Sequence, residues 1–422
     1  MSGPLSGVKI LEFSQIIAAP FSGMLLADMG ADVIKVEHPD GEPWRLNQQI
    51  VPKESKSFIS LNRGKRSLPL DMTQPQALEI VHKLLPEIDV VLINYRPDVP
   101  EKLGIDYESL ASINPKIIYC ENTAYGRRGP ESLRPGYDII IQAMSGLMAA
   151  DGKIQDGVPQ QVTATAVADF SAGMSMVWAI CAALYHRERE GIGQKIEASL
   201  LASALAIQTG RFTVVDMTEG ETRQEFIENI GHLRNAGAPY EETHGLLEGI
   251  RARPPGNIYY NTFQTADSVI AVACLSNTLR KKMADALDLY DIRFEPDYDP
   301  QSDKAKEFGE ALSNKAKELF TSKTTDEWIQ ILDRAGVPCG PVKFTEELIQ
   351  DEQVKANDLV VDLDHPKVGK ITMVGPAVRM SETPLEAKNA SPTLGQHTSE
   401  ILCDLGYDDE AIKQLIENGI TA

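Results

Sequence analysis

Hydrophobic and polar positions at the start of the chain follow the order of a strand, a helix and a second strand. Val8 to Phe13 is a short apolar run, Ala19 to Met29 has helical spacing, and Ala31 to Glu37 alternates as a strand does. This succession predicts a βαβ unit at the start of the chain.

The pattern then recurs toward residue 122. We predict a strand at Ser67–Asp71, a helix that Thr73 caps and that ends at Leu85, and further strands at Val90–Asn94 and Lys116–Asn122. Strands separated by helices predict an α/β layer with a mostly parallel sheet.

The middle of the chain carries two more predicted helices. One runs from about Tyr137 to Met148, and a nearly unbroken apolar run from Ser171 to Tyr185 predicts a long buried helix just after Asp169. The stretch from about 214 to 255 is polar and loop-like, which favours a linker into a smaller α+β domain.

The rest of the chain predicts that smaller domain and a tail. Strands are expected at Phe263–Thr265 and Val269–Ala273, with helices rich in Lys and Glu as far as Ala335. After the proline-punctuated "AGVPCGPV", strands are expected at Leu359–Leu363 and Ile371–Val374, and a last helix in "DDEAIKQLIENG". The predicted domain limits are 1–213 for the large domain, 214–255 for a linker, 256–335 for the small domain, and 336–422 for a second linker and the C-terminal segment.

Composition narrows the function classes. The 422 residues include 61 acidic and 41 basic side chains, and the net charge of −20 argues against nucleic acid or an anionic membrane as a partner. The longest apolar stretch, Met174 to Tyr185, is too short to span a bilayer, and five scattered cysteines fit a reducing compartment, so we expect a cytoplasmic protein. Seven histidines lack metal-ligand spacing, and no metal site is expected.

Basic side chains nevertheless cluster in three islands against this acidic background. Each island alone is typical of a solvated loop, but three in the α/β half favour a polyanionic small molecule such as a phosphate-bearing ligand. The islands are "LNRGKRSL" with Arg63, Lys65 and Arg66; "NYRP" with Arg96; and "YGRRGPESLRPGYD" with Arg127, Arg128 and Arg134.

Asp169 has two possible roles. An Asp just before a helix most often caps it by accepting hydrogen bonds from free backbone N–H groups. A carboxylate with an ordinary pKa of about 3.9 is also a nucleophile when held against an electrophile away from water, and a helix N-terminus is expected to lower its pKa further. An activated acyl group would be the natural target of such a carboxylate.

Several stretches together resemble the class III CoA-transferases, the family that includes carnitine and formyl-CoA transferases. The resemblance runs the length of the chain and depends on the order and spacing of many segments. They are "PLSGVKILEF", "AAPFSGMLLADMGADVIKVEHPDG", "LNRGKRSLPLDM", "INYRPDVPEKLGIDYESL", "AYGRRGP", "RPGYDIIIQAMSGLM", "VADFSAGM", "GIGQKIEASLL", "AGVPCGPV" and "LGQHTSEIL".

The resemblance implies a CoA-transferase in which Asp169 attacks an acyl-CoA donor and forms an aspartyl anhydride and then an aspartyl-CoA thioester. A small carboxylic acid is the implied acceptor, and the CoA thioester is a substrate rather than a tightly bound cofactor. The CoA contacts that the resemblance implies are Ile17, Ala18, Leu70 to Thr73, Asn94, Tyr95, Arg96, Lys102 and Tyr137.

The same resemblance implies a fold and an assembly. We expect a Rossmann-like large domain, a small domain, a C-terminal segment that returns to the large domain, and a homodimer of interlocked rings. The segment Arg253 to Thr262 occupies about the region of the glycine-rich loop of formyl-CoA transferase.

Two other functions stay open from the residues. An α-methylacyl-CoA racemase would use a His and an Asp for proton transfer, but this chain has Gly136-Tyr137-Asp138 where racemases read Gly-His-Asp. A non-catalytic acyl-CoA-binding protein would not need Asp169. The donor and acceptor acids are not identified; a dicarboxylate would require a cation near the acyl end, which Arg127, Arg128 or Arg134 could supply.

Overall fold

The computed structural model describes residues 3–250, 257–300 and 302–422. The chain forms two compact units, one built from Met1–Glu241 with Lys355–Ala422 and the other from Glu242–Val354. Of the segment Arg253 to Thr262, the first four residues lie outside the described residues, and Tyr260 to Thr262 belong to a strand. The domain limits predicted from the sequence stay a prediction beside these two units.

The strands are numbered in chain order. They are β1 (Lys9–Phe13), β2 (Asp32–Glu37), β3 (Gln49–Val51), β4 (Glu54–Ser55), β5 (Arg66–Pro69), β6 (Val90–Ile93), β7 (Ile118–Thr123), β8 (Ile154–Gln155), β9 (Val158–Pro159), β10 (Gln194–Ser199), β11 (Tyr260–Gln264), β12 (Val269–Ala273), β13 (Cys339–Pro341), β14 (Val360–His365) and β15 (Gly369–Val374).

The α-helices are numbered in the same way. They are α1 (Ala18–Asp28), α2 (Pro43–Leu46), α3 (Lys56–Ile59), α4 (Pro75–Leu84), α5 (Val99–Leu103), α6 (Tyr107–Ile113), α7 (Asp138–Met144), α8 (Leu147–Asp151), α9 (Val167–Glu190), α10 (Leu200–Ala206), α11 (Thr209–Phe212), α12 (Asp216–Asn235), α13 (Tyr240–Ile250), α14 (Asn277–Ala286), α15 (Asp303–Phe320), α16 (Thr325–Ala335), α17 (Glu352–Ala356), α18 (Thr398–Asp404) and α19 (Asp409–Glu417).

The large unit is built on a six-stranded parallel sheet with the order β5-β2-β1-β6-β7-β10. From β1, the strands β2 and β5 lie to one side, and β6, β7 and β10 lie to the other. This is the strand order of a Rossmann fold. The chain therefore reverses direction across the sheet between β1 and β6, and a crevice forms there at the carboxyl ends of the strands. This architecture confirms the predicted α/β fold class.

Both faces of this sheet are buried, so its strands read as apolar runs. Ile10 of β1 packs with α1 and α9 on one face, whereas Leu11 and Phe13 pack with α4, α6, α18 and α19 on the other. The C-terminal residues are tied to the edge strand, since the Thr421 hydroxyl donates to the Pro69 carbonyl.

The smaller unit contains an antiparallel sheet in the order β11-β12-β13. Its core packs side chains of α14, α15 and α16 against β11 and β12, with Phe263 stacked on Phe320 at 4.3 Å between ring centroids. Residues 339–341, expected within a linker, instead form the third strand of this sheet.

Three local predictions are wrong. Thr73 does not cap a helix: Gln74 precedes α4, Pro75 occupies its first position, and the Thr73 hydroxyl donates to Asp71. The helix expected at 137–148 is divided into α7 and α8, because Gly146 adopts a φ of 83° between them. The polar stretch after 214 forms α12 and α13 rather than a loop, since a helix with polar residues on most sides carries no apolar periodicity to reveal it.

Candidate active site

A pocket lies at the carboxyl edge of the parallel sheet in the large unit. It has a volume of about 160 Å³ and is formed by segments that follow β1, β6, β7 and β10. Its lining consists of Gln15, Ile16, Ile17, Asn94, Tyr95, Arg96, Pro97, Asn122, Thr123, Ala124, Arg134, Pro135, Gly136, Tyr137, Asp169 and Leu200. The pocket thus coincides with the crevice that the strand order creates.

The Asn94 side chain joins the two segments at this crevice. Its Oδ1 accepts from the Gln15 amide N–H at 3.0 Å, and its Nδ2 donates to the Gln15 carbonyl at 2.8 Å. Next to Gln15, Ile16 has a φ of 71°, which is costly for a β-branched residue. The Ile16 N–H donates to Glu42 Oε2 at 2.8 Å, so a buried carboxylate holds this strained turn in place.

Asp169 enters the pocket from the first turn of α9. The buried residues of this helix include Ala172, Gly173, Met176 and Ile180, which lie three, four, seven and eleven positions beyond Asp169. That spacing places Asp169 on the helix face that packs against the sheet. The start of α9 therefore directs its carboxylate toward the carboxyl ends of the strands.

Asp169 does not cap α9. Asp138, at the start of α7, does so in its place: its Oδ1 accepts from the N–H of Ala168 at 2.7 Å and of Asp169 at 3.2 Å. Gln142 donates to the other Asp138 oxygen. Within the described ranges, nothing donates a hydrogen bond to the Asp169 carboxylate, which leaves it available to a ligand.

The environment of Asp169 makes its carboxylate unusually basic. Burial, and secondly the negative charge of Asp138, raise the pKa of Asp169 to about 7. The expected lowering by the helix N-terminus is therefore wrong, because the first free N–H groups of α9 are already bonded to Asp138 and the desolvated carboxylate lacks their support. A more basic carboxylate is a better nucleophile.

A close approach of α1 and α9 fixes the position of this carboxylate. A Cβ atom on Gly173 would lie 2.8 Å from the Ala18 carbonyl oxygen and 2.8 Å from the Phe21 ring. The Ser22 hydroxyl donates to the Gly173 carbonyl at 2.8 Å, and Phe21 meets Phe170 edge to face. The start of α1, which follows Ile17, is thereby held beside the first turn of α9.

The pocket brings together six of the residues predicted from the sequence: Ile17, Asn94, Tyr95, Arg96, Tyr137 and Asp169. The other predicted CoA contacts, Ala18, Leu70 to Thr73 and Lys102, do not line it. Ala18 and Leu70 are buried, Thr73 bonds to Asp71, and Lys102 lies on α5. Lys102 is nevertheless linked to Arg96, because both donate to the Asp98 carboxylate.

The first and third basic islands differ in whether their side chains reach the pocket. In the first island, Arg63 is buried on Asp28, Lys65 is buried on Glu12, and Arg66 pairs with Asp32, so these charges are balanced within the fold. In the third island, Arg127 is held by Glu121, whereas Arg134 reaches the pocket and pairs with Glu131.

The sequence reasoning missed three polar residues of the pocket lining, Gln15, Asn122 and Thr123, and it missed Asp138, which caps α9 beside the pocket. Gln15 and Asn122 follow or end apolar strands, so their place at the carboxyl edge of the sheet was a usable signal. The partners of Asp138 lie 30 and 31 residues further along the chain, and no local pattern reveals them.

The described residues also bear on metal ligands and membrane-spanning segments. They contain no group of three or more His, Cys, Asp or Glu side chains placed to hold a metal ion. Helix α9 is long and apolar enough to cross a membrane, but the core helices of soluble proteins can have the same length and composition. One face of α9 packs in the core of the large unit.

Comparisons with known proteins bear on the chemistry of this pocket. The model of a family described as CoA-transferase family III matches residues 5–398. The human succinyl-CoA:glutarate CoA-transferase is 33% identical over 99% of this chain and 90% of its own length, and a formyl-CoA:oxalate CoA-transferase of Rhodopseudomonas palustris is 31% identical over 99% and 97%. A crystal structure of a CAIB/BAIF family protein from Brucella suis superposes with a TM-score of 0.74 at 29% identity, covering 96% of this chain and all of that one.

Proposed function

The chain belongs to CoA-transferase family III, and we propose that it transfers CoA from an acyl-CoA donor to a carboxylic acid through covalent intermediates on Asp169. The observation that carries this proposal is the state of the Asp169 carboxylate. It lines the pocket, accepts no hydrogen bond from the described residues, and has a pKa of about 7. These are the properties of a nucleophile held in a partly desolvated site.

In the first half of the reaction, an Asp169 carboxylate oxygen attacks the thioester carbonyl. A C–O bond forms, the C–S bond breaks, and CoA leaves as the thiolate, which gives an aspartyl acyl anhydride. The thiolate then attacks the Asp169 carbonyl carbon and releases the donor acid as a carboxylate. An aspartyl-CoA thioester remains on the enzyme.

The second half reverses these steps with another acid. The acceptor carboxylate attacks the aspartyl-CoA carbonyl, which expels the thiolate and forms a new anhydride. The thiolate then attacks the acceptor acyl carbon, giving the new acyl-CoA and the free Asp169 carboxylate. One thioester replaces another, so the sequence requires neither ATP nor a redox cofactor.

We place the CoA moiety in the crevice between the segments that follow β1 and β6. Ile17, Asn94 and Tyr95 would flank it, and Arg96 and Lys102 would present cations to its phosphates from their shared position on Asp98. Tyr137 would lie beside the thioester from the opposite wall. Ala18, Leu70 and Thr73 would contribute by shaping the adjoining segments rather than by lining the pocket.

We further propose a dicarboxylic acid as the acceptor. The acceptors in the relatives' names, glutarate and oxalate, are both dicarboxylates. Arg134 lines the pocket and is the member of the third basic island suited to receive a distal carboxylate. Arg127 pairs with the buried Glu121, and neither it nor the exposed Arg128 lines the pocket. The Glu131 partner of Arg134, in contrast, is itself partly exposed to solvent.

Two rival functions have less support. A racemase would need a base opposite Asp169, and the pocket lining contains no histidine. Its other nearby carboxylate, Asp138, accepts two backbone hydrogen bonds as a helix cap. A non-catalytic binding protein would not require a half-buried carboxylate with a raised pKa in its pocket.

The test is trapping of the acyl-enzyme. The protein is incubated with succinyl-CoA, glutaryl-CoA, oxalyl-CoA and formyl-CoA, treated with hydroxylamine, and examined by peptide mass spectrometry. We expect a hydroxamate on Asp169 with at least one donor and none in Asp169→Asn. The matched control is Asp216→Asn, which alters another aspartate in the first turn of a helix and should retain the adduct.

The rivals predict other results. If no donor yields an adduct and a branched acyl-CoA exchanges its α-proton with deuterium, the protein is a racemase. Tight binding of these thioesters with neither adduct nor exchange would identify a binding protein.

A further inference from the structure

The alternation of side chains along β7 determines which side of the sheet Asn122 faces. Alternate residues of β7 face opposite sides of the sheet. Cys120 packs with Met176 and Ile180 of α9, so Asn122 faces the same side, one repeat closer to the carboxyl edge. Both Asn122 and Asp169 line the pocket there.

The Asn122 amide is uncommitted although it is buried. The residue is 4% exposed, and its Oδ1 has no hydrogen-bond partner among the described residues. Leaving a buried acceptor unpaired is unfavourable, so such groups are rare and call for an explanation. Asn122 is the one pocket-lining residue in the described chain with a buried, unpartnered side-chain atom of this kind.

Two of its polar neighbours bond to other groups. The Asn94 amide bonds twice to the Gln15 backbone, and the Thr123 hydroxyl accepts from the Gly126 N–H at 3.0 Å. Neither of them donates to Asn122 Oδ1, which has no partner in the described chain. A molecule bound in the pocket can supply one.

The position of Asn122 assigns it to the acyl side of the substrate. The crevice proposed for CoA lies between β1 and β6, whereas Asn122, Arg134 and Leu200 belong to the side of the pocket formed after β7 and β10. A carboxylate at neutral pH has acceptors but no donor, and Arg134 already suits it. A hydroxyl group, in contrast, can donate to Asn122 Oδ1 and accept from Nδ2.

Resting on the proposed transferase function, we infer that Asn122 selects a hydroxylated acyl group, so that the preferred acceptor is a hydroxydicarboxylic acid. Arg134 binds its distal carboxylate, and Asn122 binds its hydroxyl group. An acid without the hydroxyl leaves the buried amide unpaired and is disfavoured, as in other sites built around a substrate hydroxyl group.

The experiment compares acceptors that differ only in the hydroxyl group. With succinyl-CoA as donor, kcat/KM is measured for glutarate, for each enantiomer of 2-hydroxyglutarate, and for 3-hydroxyglutarate. We expect one hydroxylated acid to exceed glutarate by about tenfold or more in the wild type. Asn122→Leu should bring this ratio close to one, because leucine has a similar size and no polar atoms.

Two further variants sharpen the comparison. Asn122→Asp keeps an acceptor oxygen at the same position and should retain part of the preference. Asn418→Leu changes an exposed asparagine outside the pocket and should leave the ratio unchanged.

Two outcomes would overturn the inference. One is a wild-type enzyme that uses glutarate as well as every hydroxylated acid. The other is an Asn122→Leu variant in which kcat/KM falls by the same factor with all acceptors. The partner of the Asn122 side chain would then be the CoA amide N–H nearest the thiol, or a bound water. Both differ from failure of the proposed function itself, since transfer to glutarate and the Asp169 hydroxamate would still be observed.

Discussion

The Asp169 carboxyl illustrates how one residue acquires a reactive state from its neighbours. Burial raises its pKa most, and the charge of Asp138 raises it further, to about 7. Asp138 at the same time holds the first turn of α9 through the N–H groups of Ala168 and Asp169. Asp138 is therefore a positioning residue that also tunes the nucleophile.

The pH dependence of transfer should report this tuning. Attack requires the ionised carboxylate, so kcat/KM should rise as the pH increases through about 7 and then level off. Asp138→Asn retains an acceptor oxygen for the cap but removes the charge, which lowers the pKa of Asp169. The ratio of variant to wild-type kcat/KM should then be several-fold larger at pH 6 than at pH 8.

The control for this profile is Asp151→Asn, which removes an exposed carboxylate outside the pocket lining and should leave the midpoint at its wild-type pH. A purely structural role of Asp138 would lower kcat/KM by the same factor at every pH. That result would refute electrostatic tuning by Asp138.

For a single residue such as Asp169, the sequence reveals its chemical type but not the residues that it contacts in the fold. "VADF" draws attention to Asp169, but the sequence does not show whether Asp169 caps α9 or whether another residue caps it and leaves Asp169 free to react. The cap comes from a residue 31 positions earlier that folding brings into contact. Local propensity therefore favoured the wrong role for Asp169.

Among the elements, the contact between α1 and α9 controls the site. Gly173→Ala should be costly, because the added Cβ would meet a backbone oxygen of α1 and the Phe21 ring, both at 2.8 Å. Relief requires the helices to separate, which moves the start of α1 away from Asp169. We expect a loss of about 1–3 kcal/mol of unfolding free energy and about a tenfold or greater fall in kcat/KM, measured by thermal denaturation and steady-state kinetics.

Gly231→Ala is the matched control, since this glycine lies within α12 with open space around its Cβ position. It should keep wild-type kinetics and gain up to about 1 kcal/mol from helix propensity. Equal behaviour of the two variants would show that the α1–α9 contact does not position the nucleophile.

The elements that the sequence predicts well are those with strong apolar patterns. Five strands of the parallel sheet, β1, β2, β5, β6 and β7, and α1 agree with the predicted positions within a few residues, whereas β10 was not predicted. The charges of "LNRGKRSL" are balanced within the fold, because Arg63 and Lys65 pair with acids 35 and 53 residues earlier in the chain. Clusters of like charge in a sequence do not reveal whether their counterions lie within the fold.

The arrangement of the whole molecule was predictable to the level of fold class. Alternating strands and helices indicate a parallel sheet, and the observed strand order places the pocket at the reversal between β1 and β6. Periodicity alone does not give that order, nor the addition of β13 to the smaller sheet. Both depend on contacts between segments that are distant in the chain.

The surface of the large unit supports the predicted homodimer. On α9, Met174, Trp178 and Tyr185 are 57%, 67% and 65% exposed, and they share the face opposite the buried stripe. A helix that is apolar all round is normally covered on every side. We therefore propose that a second copy of the chain covers this face of α9.

Trp178→Glu should convert the dimer to a monomer in size-exclusion chromatography with light scattering, because a desolvated carboxylate opposes burial of the face. Val374→Glu, which places the same charge at an exposed apolar residue of β15, should remain dimeric. Circular dichroism of both variants distinguishes dissociation from unfolding. A wild-type protein that is monomeric at micromolar concentration and cosediments with phospholipid vesicles would contradict the proposal and assign the exposed face of α9 to a membrane surface.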